Sequence, residues 1–278
     1  MHDGYDELAV GGLTLRGSAQ GGVRTCLTVP EIGVMFDVGP MFRGVLRYDR
    51  ILVSHGHQDH LGMLPYLVSQ RQLMRKPPPE VHVPREIVEP LRRIFDAWAA
   101  IEDFDLAVHL HGHDPEDTVD LGNGRVARAI RSHHRVPSLC WLIERHTRRL
   151  RADLVGRPGP ELRRLKAEGV EITEPHVEPW LAVTGDTRID LFVQDRRLQE
   201  VRVLVHEVTA WDDRRSVEEM RAWGHTHFEE FVQVADRFRG EALVLVHRSL
   251  RHSKRDAQAM VASRLPASVQ DRVHVFGT

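Results

Sequence analysis

Four potential metal ligands end one apolar run, Ile51-Leu52-Val53-Ser54-His55-Gly56-His57-Gln58-Asp59-His60. Residues i and i+2 of an extended segment point the same way, so His55 and His57 can hold one ion. If a helix starts near Asp59, that carboxylate and His60 turn away to meet a second ion beside the first. Gly56 lets the chain bend between the two pairs. A strand feeding H-x-H-x-D-H is among the more specific short signatures of a metal site.

One such motif does not close two coordination shells, and α/β sites collect further ligands just after apolar strands. Three residues fit. His134 lies in Ser132-His133-His134-Arg135-Val136-Pro137, Asp186 in Leu181-Ala182-Val183-Thr184-Gly185-Asp186-Thr187, and His247 ends Ala242-Leu243-Val244-Leu245-Val246-His247. Each alone reads as an ordinary surface or capping residue, and their joint occurrence is the signal. Glu207, after Val201-Arg202-Val203-Leu204-Val205-His206, and His225, in Gly224-His225-Thr226-His227, form a candidate proton-transfer couple. A carboxylate behind an imidazole favours the imidazolium and makes the histidine a competent general acid. The bland alternative is a strand-end Glu and a helix-start His with no common role. His109-Leu110-His111-Gly112-His113-Asp114 imitates a second metal motif, with three imidazoles on one strand face. Asp114-Pro115 begins a loop, and no companion carboxylate is visible on a matching strand end, so an exposed strand edge is expected there.

These residues need strands to carry them. Short β-branched runs alternate with amphipathic stretches and turn signals, the pattern of an α/β chain. Strands are expected at Thr25–Val29, Val34–Val38, Arg50–Ser54, Val81–Val83, Ala107–Leu110, Arg125–Ile130, Leu139–Glu144, Leu181–Thr184, Val201–Glu207, Ala242–Val246 and Val273–Phe276. Helices are expected at Leu61–Arg75, Arg85–Ala99, Pro160–Glu168, Val217–Ala222, His227–Phe238 and Ser253–Arg264. Gly122-Asn123-Gly124 is a two-strand turn signature. No repeat or domain boundary interrupts residues 1–278, so one domain is expected.

Composition narrows the chemistry. Apolar residues make up 41 % and charged residues 28 % of 278, which argues against a disordered or fibrous chain. Cys26 and Cys140 are too few for a disulfide framework or a thiolate cluster, so any metal must use His and carboxylate. No apolar run approaches the roughly 18 residues of a membrane span, and Met1-His2-Asp3-Gly4 opens no leader; a cytoplasmic protein with no membrane partner is expected. The net charge of −2 excludes a globally basic nucleic-acid binder, not a local patch. Residues 145 to 166 hold eight basic side chains against Asp153 and Glu161, a local +6. The alternative for this segment is an arginine-rich solvated edge plus one helix.

The order of motifs resembles the metallo-β-lactamase fold and, within it, the short plant-type form of tRNase Z, an endonuclease removing 3′ trailers from precursor tRNA. The likeness runs nearly the full length. It is carried by the metal motif with Gly62-Met63-Leu64-Pro65, by Lys76-Pro77-Pro78, by Leu154-Val155-Gly156 and by Leu165-Lys166-Ala167-Glu168-Gly169-Val170-Glu171-Ile172-Thr173. Thr184-Gly185-Asp186-Thr187 and Gly224-His225-Thr226-His227 complete it. The resemblance implies an αββα sandwich, two mixed sheets with helices on the outer faces. It implies two Zn²⁺ per chain, with Mn²⁺ as the other ion such ligands accept. His55, His57 and His134 would bind one ion, Asp59, His60 and His247 the other, and Asp186 would bridge them; matching His134-Arg135-Val136-Pro137 prefers His134 over His133. Glu207 and His225 match the family's proton-transfer pair. A homodimer is implied as well.

The chain departs from the family pattern at Met63, Cys140-Trp141, Ala210 and Arg248, none of which removes a ligand. The family's long arm is truncated, and a short basic insertion at about 145–173 takes its place, with Arg148, Arg149, Arg163 and Arg164 as candidate RNA contacts. The expected reaction is in-line attack of water on a phosphodiester, Asp59 taking the water's proton and His225 protonating the leaving 3′ oxygen. A small-molecule hydrolase of the same fold acting on a phosphodiester, thioester or lactone is the alternative. A catalytically silent RNA-binding module is a third reading, against which the full ligand set argues.

Overall fold

Val203-Leu204-Val205 and Ala242–Val246 are apolar at every position, as strands buried on both faces must be, and both lie inside a sheet. The computed structural model describes residues 5–42 and 44–277; Met1-His2-Asp3-Gly4, on which the expectation of no leader rests, lie outside the described residues. One sheet contains β1 (Asp6–Val10), β2 (Leu13–Gly21), β3 (Arg24–Val29), β4 (Val34–Phe36), β5 (Arg50–Leu52), β6 (Glu80–Pro84) and β7 (His109–His113), in that spatial order. The other contains β8 (Thr118–Gly122), β9 (Arg125–Arg131), β10 (Leu139–Leu150), β11 (Thr173–Val183), β12 (Val203–Glu207) and β13 (Ala242–Val246). A short β14 (Arg248–Ser249) returns to pair with β2, and β15 (Val273–Val275) flanks β13.

Each sheet begins as an antiparallel meander and becomes parallel from β4 and from β11 onward. The inner faces interdigitate through Leu15, Leu27, Phe36, Leu52, Trp141, Val183, Val205 and Val244. Outside the first sheet, α1 (Gln58–Leu61) and α2 (Leu64–Leu73) precede α3 (Val88–Glu102), which buries Leu91 and Phe95 in the adjoining core. α4 (Gly159–Ala167) lies between β10 and β11 in sequence, and on the other flank α5 (Asp190–Gln194), α6 (Arg196–Glu200), α7 (Val217–Trp223), α8 (Phe228–Val234), α9 (Lys254–Arg264) and α10 (Ala267–Gln270) follow in chain order. Leu191, Leu198, Phe228, Phe231 and Val261 from these helices cover the second sheet. The expected αββα sandwich is what forms. Among the described residues no helix is long and apolar enough to cross a membrane.

Several expected boundaries are corrected. β1 and β2 were not anticipated, because Gly17 and polar residues break their apolar pattern. The helix expected at Leu61–Arg75 is shorter, Leu64–Leu73, and a separate turn of helix, Gln58–Leu61, precedes it. The strand expected at Ala107–Leu110 runs over His109–His113 and is the sheet edge anticipated for it. The expectation that no carboxylate accompanies those histidines fails, because Glu80 lies in register beside His109.

The largest correction concerns the basic segment. β10 and β11 extend far beyond the expected Leu139–Glu144 and Leu181–Thr184, pairing from Trp141↔Val183 to Leu150↔Thr173. Beyond His146, whose N–H still donates to Gly124 O, the two strands of the ribbon pair with each other, and α4 lies between them in sequence. Glu174 and Glu178 of the second strand, with Glu168 and Glu171 just before it, come alongside the arginines, so over 145–178 eight basic side chains meet six acidic ones, leaving +2. Arg145, Arg148, Arg149 and Arg164 pair with Glu178, Glu171, Glu174 and Glu168. Among the described residues, Arg163 and Lys166 have no carboxylate partner.

The segment carrying the metal motif is fixed against β3 and β4. Val38 N–H donates to His60 O at 2.6 Å and Gly39 N–H to Thr25 O at 2.9 Å. A Cβ at Gly39 would overlap the Asp59 carbonyl and lie 2.7 Å from Thr25 N. Gly39→Ala is therefore expected to destabilise the fold by about 1–3 kcal/mol, the usual cost of overpacking, and to loosen metal retention by shifting α1. Chemical denaturation with metal analysis checks both.

Candidate metal centre and proton-transfer pair

The parallel strands of both sheets end at one cleft, which is where α/β folds gather their ligands. β5 leads into Ser54 and His55, and His55 pairs with Ser138 across the turn between β9 and β10. His57 has extended backbone at the N-terminus of α1, so the chain bends there and sends Asp59 and His60 into the cleft. The β9–β10 turn supplies His134, Glu207 is the last residue of β12, and Asp186 and His247 follow β11 and β13.

These seven candidate ligands form two groups: His55, His57, His134 and Asp186, and Asp59, His60 and His247, the ligand atoms of each lying within 4.8 Å of one another. His57 Nδ1 is 3.0 Å from His55 Nε2 and 3.3 Å from His134 Nε2, and His60 Nε2 is 3.2 Å from His247 Nε2. Donors around a tetrahedral zinc at Zn–N distances of 2.0–2.1 Å lie about 3.3 Å apart, so these spacings suit such a cation. Asp186 is buried between the groups. Its Oδ2 lies 3.6 Å from His55 Nε2, whereas its Oδ1 lies 3.3 Å from both His60 Nε2 and His247 Nε2. Asp186 Oδ1 is buried without a hydrogen-bond partner, as expected of an oxygen that a cation would satisfy. The donor set fits two divalent ions.

Sequence reasoning missed the residues that hold these imidazoles. His60 Nδ1–H donates to Asp37 Oδ2 at 2.8 Å, and Asp37 also accepts from the Ser54 amide and hydroxyl. With its hydroxyl proton given to Asp37, Ser54 Oγ accepts from His55 Nδ1–H at 3.0 Å. His134 Nδ1–H donates to Gly224 O at 2.8 Å. Thr209 Oγ1–H donates to Glu207 Oε2 at 2.8 Å and accepts from His247 Nδ1–H at 2.9 Å. Each anchor places a proton on the outer nitrogen and leaves the inner one as a ligand. Asp37 follows Val34-Met35-Phe36 as the other site residues follow their strands, and that position was its signal. His133 stays outside the cluster, its amide bound to Thr187 Oγ1.

Glu207 is buried, and its Oε1 accepts from His225 Nδ1–H at 2.9 Å, Thr187 N–H at 3.1 Å and Thr226 N–H at 3.2 Å. This fixes the ring and leaves Nε2 as the proton-carrying atom. Burial lowers the His225 imidazole, but Glu207 more than reverses this and lifts it to about 9. Burial pushes His55, His57 and His134 below the ordinary imidazole value, which favours the neutral, ligating form. Burial would also lower His60, but Asp186 and Asp37 outweigh it and hold that ring well above. Burial raises Asp186, and His247, His60 and His55 together overcome it, keeping the carboxylate ionised.

Beside His225 and His247 a cleft of about 200 Å³ is bordered by Thr209, Ala210, Arg214, Trp223 and Arg251. Of the departures from the family pattern, Ala210 borders this cleft. Arg248 turns away, donating to His252 O and Gly277 O, and Trp141 is buried with its indole N–H on Val53 O.

In the metal-free protein, His225 is expected to titrate by NMR near 9, losing its proton as pH rises through that value. Glu207→Gln removes the charge that raises it and should bring the midpoint down toward the ordinary imidazole range. An unchanged midpoint would break the pairing of Glu207 with His225.

A beta-lactamase superfamily domain model matches residues 39–248. The tRNase Z TRZ1 of Arabidopsis thaliana is 31 % identical over 268 residues, 96 % of this chain and 95 % of that protein. A nuclear ribonuclease Z of Triticum aestivum is 34 % identical over 166 residues, 60 % of this chain and 94 % of the relative. Among solved structures, human tRNase Z, short form, superposes with a TM-score of 0.59 at 19 % identity, covering 94 % of each chain. The metallo-beta-lactamase fold protein YhfI of Bacillus subtilis gives 0.62 at 12 % identity, again over 94 % of each. With the fold, the ligand cluster and this near-complete alignment together, the chain belongs to the tRNase Z family of the beta-lactamase superfamily.

Proposed function

We propose that this protein is a dinuclear-zinc endoribonuclease that removes 3′ trailers from precursor tRNA. The observation that carries the reading is the buried Asp186, one oxygen turned to each ligand group, with the Glu207–His225 pair beside it. The cations, Zn²⁺ or alternatively Mn²⁺, would neutralise charge on the scissile phosphate and lower the pKa of water. His55, His57 and His134 would hold one, Asp59, His60 and His247 the other, with Asp186 shared.

The chain's own residues do the rest. Burial raises the Asp59 carboxylate, while its contact with His247 and the charge of His60 bring it below its usual value, so it stands ionised in the cleft, where we propose that it takes the attacking water's proton. His225, charged through Glu207, gives its Nε2 proton to the leaving 3′ oxygen as the phosphorus–oxygen bond breaks. The products are a 3′-hydroxyl on the tRNA and a 5′-phosphate on the trailer. Structured RNA is met largely through phosphates and 2′-hydroxyls, for which we propose Arg148, Arg149, Arg163 and Arg164 on the ribbon. A second copy of the chain is the proposed partner. Tyr66, Leu73 and Met74 at α2 and Ile94, Trp98 and Ile101 on α3 are exposed, an apolar surface that dimerisation would bury; light scattering measures it.

Precursor tRNA and a base-free aryl phosphodiester separate the roles. His225→Ala should retain both ions while cleavage of precursor tRNA falls about 10²- to 10⁴-fold, the usual contribution of a general acid. The loss should shrink on the aryl ester, whose leaving group needs no proton. Metal loss, or equal loss on both substrates, contradicts the acid role.

Neutralising Arg148, Arg149, Arg163 and Arg164 should weaken tRNA binding and flatten its salt dependence, since each lost phosphate contact removes released counterions. Aryl ester turnover should remain close to the parent's. Because Glu168, Glu171 and Glu174 already neutralise three of these arginines, Arg163 should contribute the largest single share. Undiminished tRNA processing at moderate salt would make a small-molecule hydrolase the better reading.

A further inference from the structure

The histidine-rich edge strand β7 plays no part in the chemistry above. In its parallel register with β6, Glu80 lies beside His109 and His82 beside His111. Strand alternation therefore gathers Glu80, His82, His109, His111 and His113 on one face. Val81, Val83 and Leu110 take the other face, in the core beneath α2 and α3. Glu80 Oε2 is 2.5 Å from His111 Nε2, and Oε1 is 3.9 Å from His109 Nε2. The His82 ring stacks on His111 with centroids 4.9 Å apart, and its Nδ1 is 2.9 Å from His113 Nε2.

We propose that Glu80, His109 and His111 form a further metal site, apart from the active centre, that takes a borderline divalent cation such as Zn²⁺. Glu80 Oε2 lies against His111 and Oε1 toward His109, and side-chain rotations would bring the three ligand atoms to the roughly 3.3 Å spacing of tetrahedral zinc. These rotations occur at the surface, because the side chains of His109, His111 and Glu80 are 56 %, 44 % and 43 % exposed, leaving room for water to complete the shell. Imidazole with carboxylate selects zinc, nickel or copper over magnesium and calcium.

The local charge agrees. Exposed carboxylates elsewhere, such as Glu171, Glu174 and Glu200, are held by arginine, whereas the ion-pair contacts of Glu80 are with these two imidazoles; Arg50, in register beside Glu80, gives its guanidinium to Leu121 O. A cation here would tie β7 to β6 at the sheet edge, where unpaired backbone is open to other chains. It would stabilise the fold with rising free metal, as any ligand of the native state does.

The test counts ions. The zinc-loaded protein, dialysed against buffered free Zn²⁺, should hold one ion more per chain than the double variant His109→Ala/His111→Ala. Hydrolysis of an aryl phosphodiester should be equal in the two. Glu80→Gln, a single-atom change at the surface, should lose the same ion and the same Zn²⁺-dependent rise in melting temperature. Equal zinc content in the parent and both variants overturns the proposal. Loss of the ion together with hydrolysis in Glu80→Gln also overturns it, because the ion counted would then belong to the active centre. Neither outcome bears on the endonuclease reading.

Discussion

Everything around the cleft answers to one buried carboxylate. Asp186 is 2 % exposed, and an ionised group so placed costs several kcal/mol unless positive charge or hydrogen bonds compensate it. The polypeptide offers no such hydrogen bonds to its Oδ1. It surrounds the carboxylate with imidazoles whose outer nitrogens are committed to Ser54, Asp37, Gly224 and Thr209. The inner nitrogens are then lone pairs, and lone pairs facing a carboxylate repel it. Positive charge in the middle resolves this, either as a proton on His60 or as divalent cations. The metal preference is thus set by the outer hydrogen bonds as much as by the ligands.

Most of this was legible before any coordinates, for a physical reason. Strands buried on both faces admit only apolar residues, so a polar residue at such a strand's end stands out. His55, His134, Asp186, Glu207 and His247 were all visible that way. Asp37 obeys the same rule but was passed over, because its role is to hold His60 and no spacing rule connects residues 37 and 60. Thr209 was hidden likewise: three of its contacts, Glu207, His225 and His247, come from two strands and a helix start that only folding brings together.

The ribbon shows how a linear reading misleads. Charge counted from 145 to 166 covers one strand and a helix, while the partner strand, whose glutamates answer the arginines, begins at Thr173. Cross-strand pairs are set by register, as Arg149↔Glu174 and Arg145↔Glu178 are, and opposite charges in such pairs stabilise a sheet modestly. The ribbon's polarity therefore supports its own fold first. What remains for RNA is the outward side of exposed pairs that an incoming phosphate can rearrange, together with Arg163 and Lys166 on α4.

The chain uses the same local device twice, an H-x-H alternation beside a carboxylate, with different results. At His55 and His57 the strand ends inside the sandwich, the rings are packed against His60 and His134, and hydrogen bonds fix the tautomers of the neighbouring ligands. Little side-chain freedom is lost when a cation enters, so affinity is not spent on ordering. At His109 and His111 the rings lie on a sheet edge half in water, and among the described residues their Nδ1 atoms have no anchor like those of the buried ligands. A cation bound there has to order exposed side chains and should exchange more readily. Burial, more than ligand identity, separates a centre built for catalysis from an edge that can only take up what the solution offers.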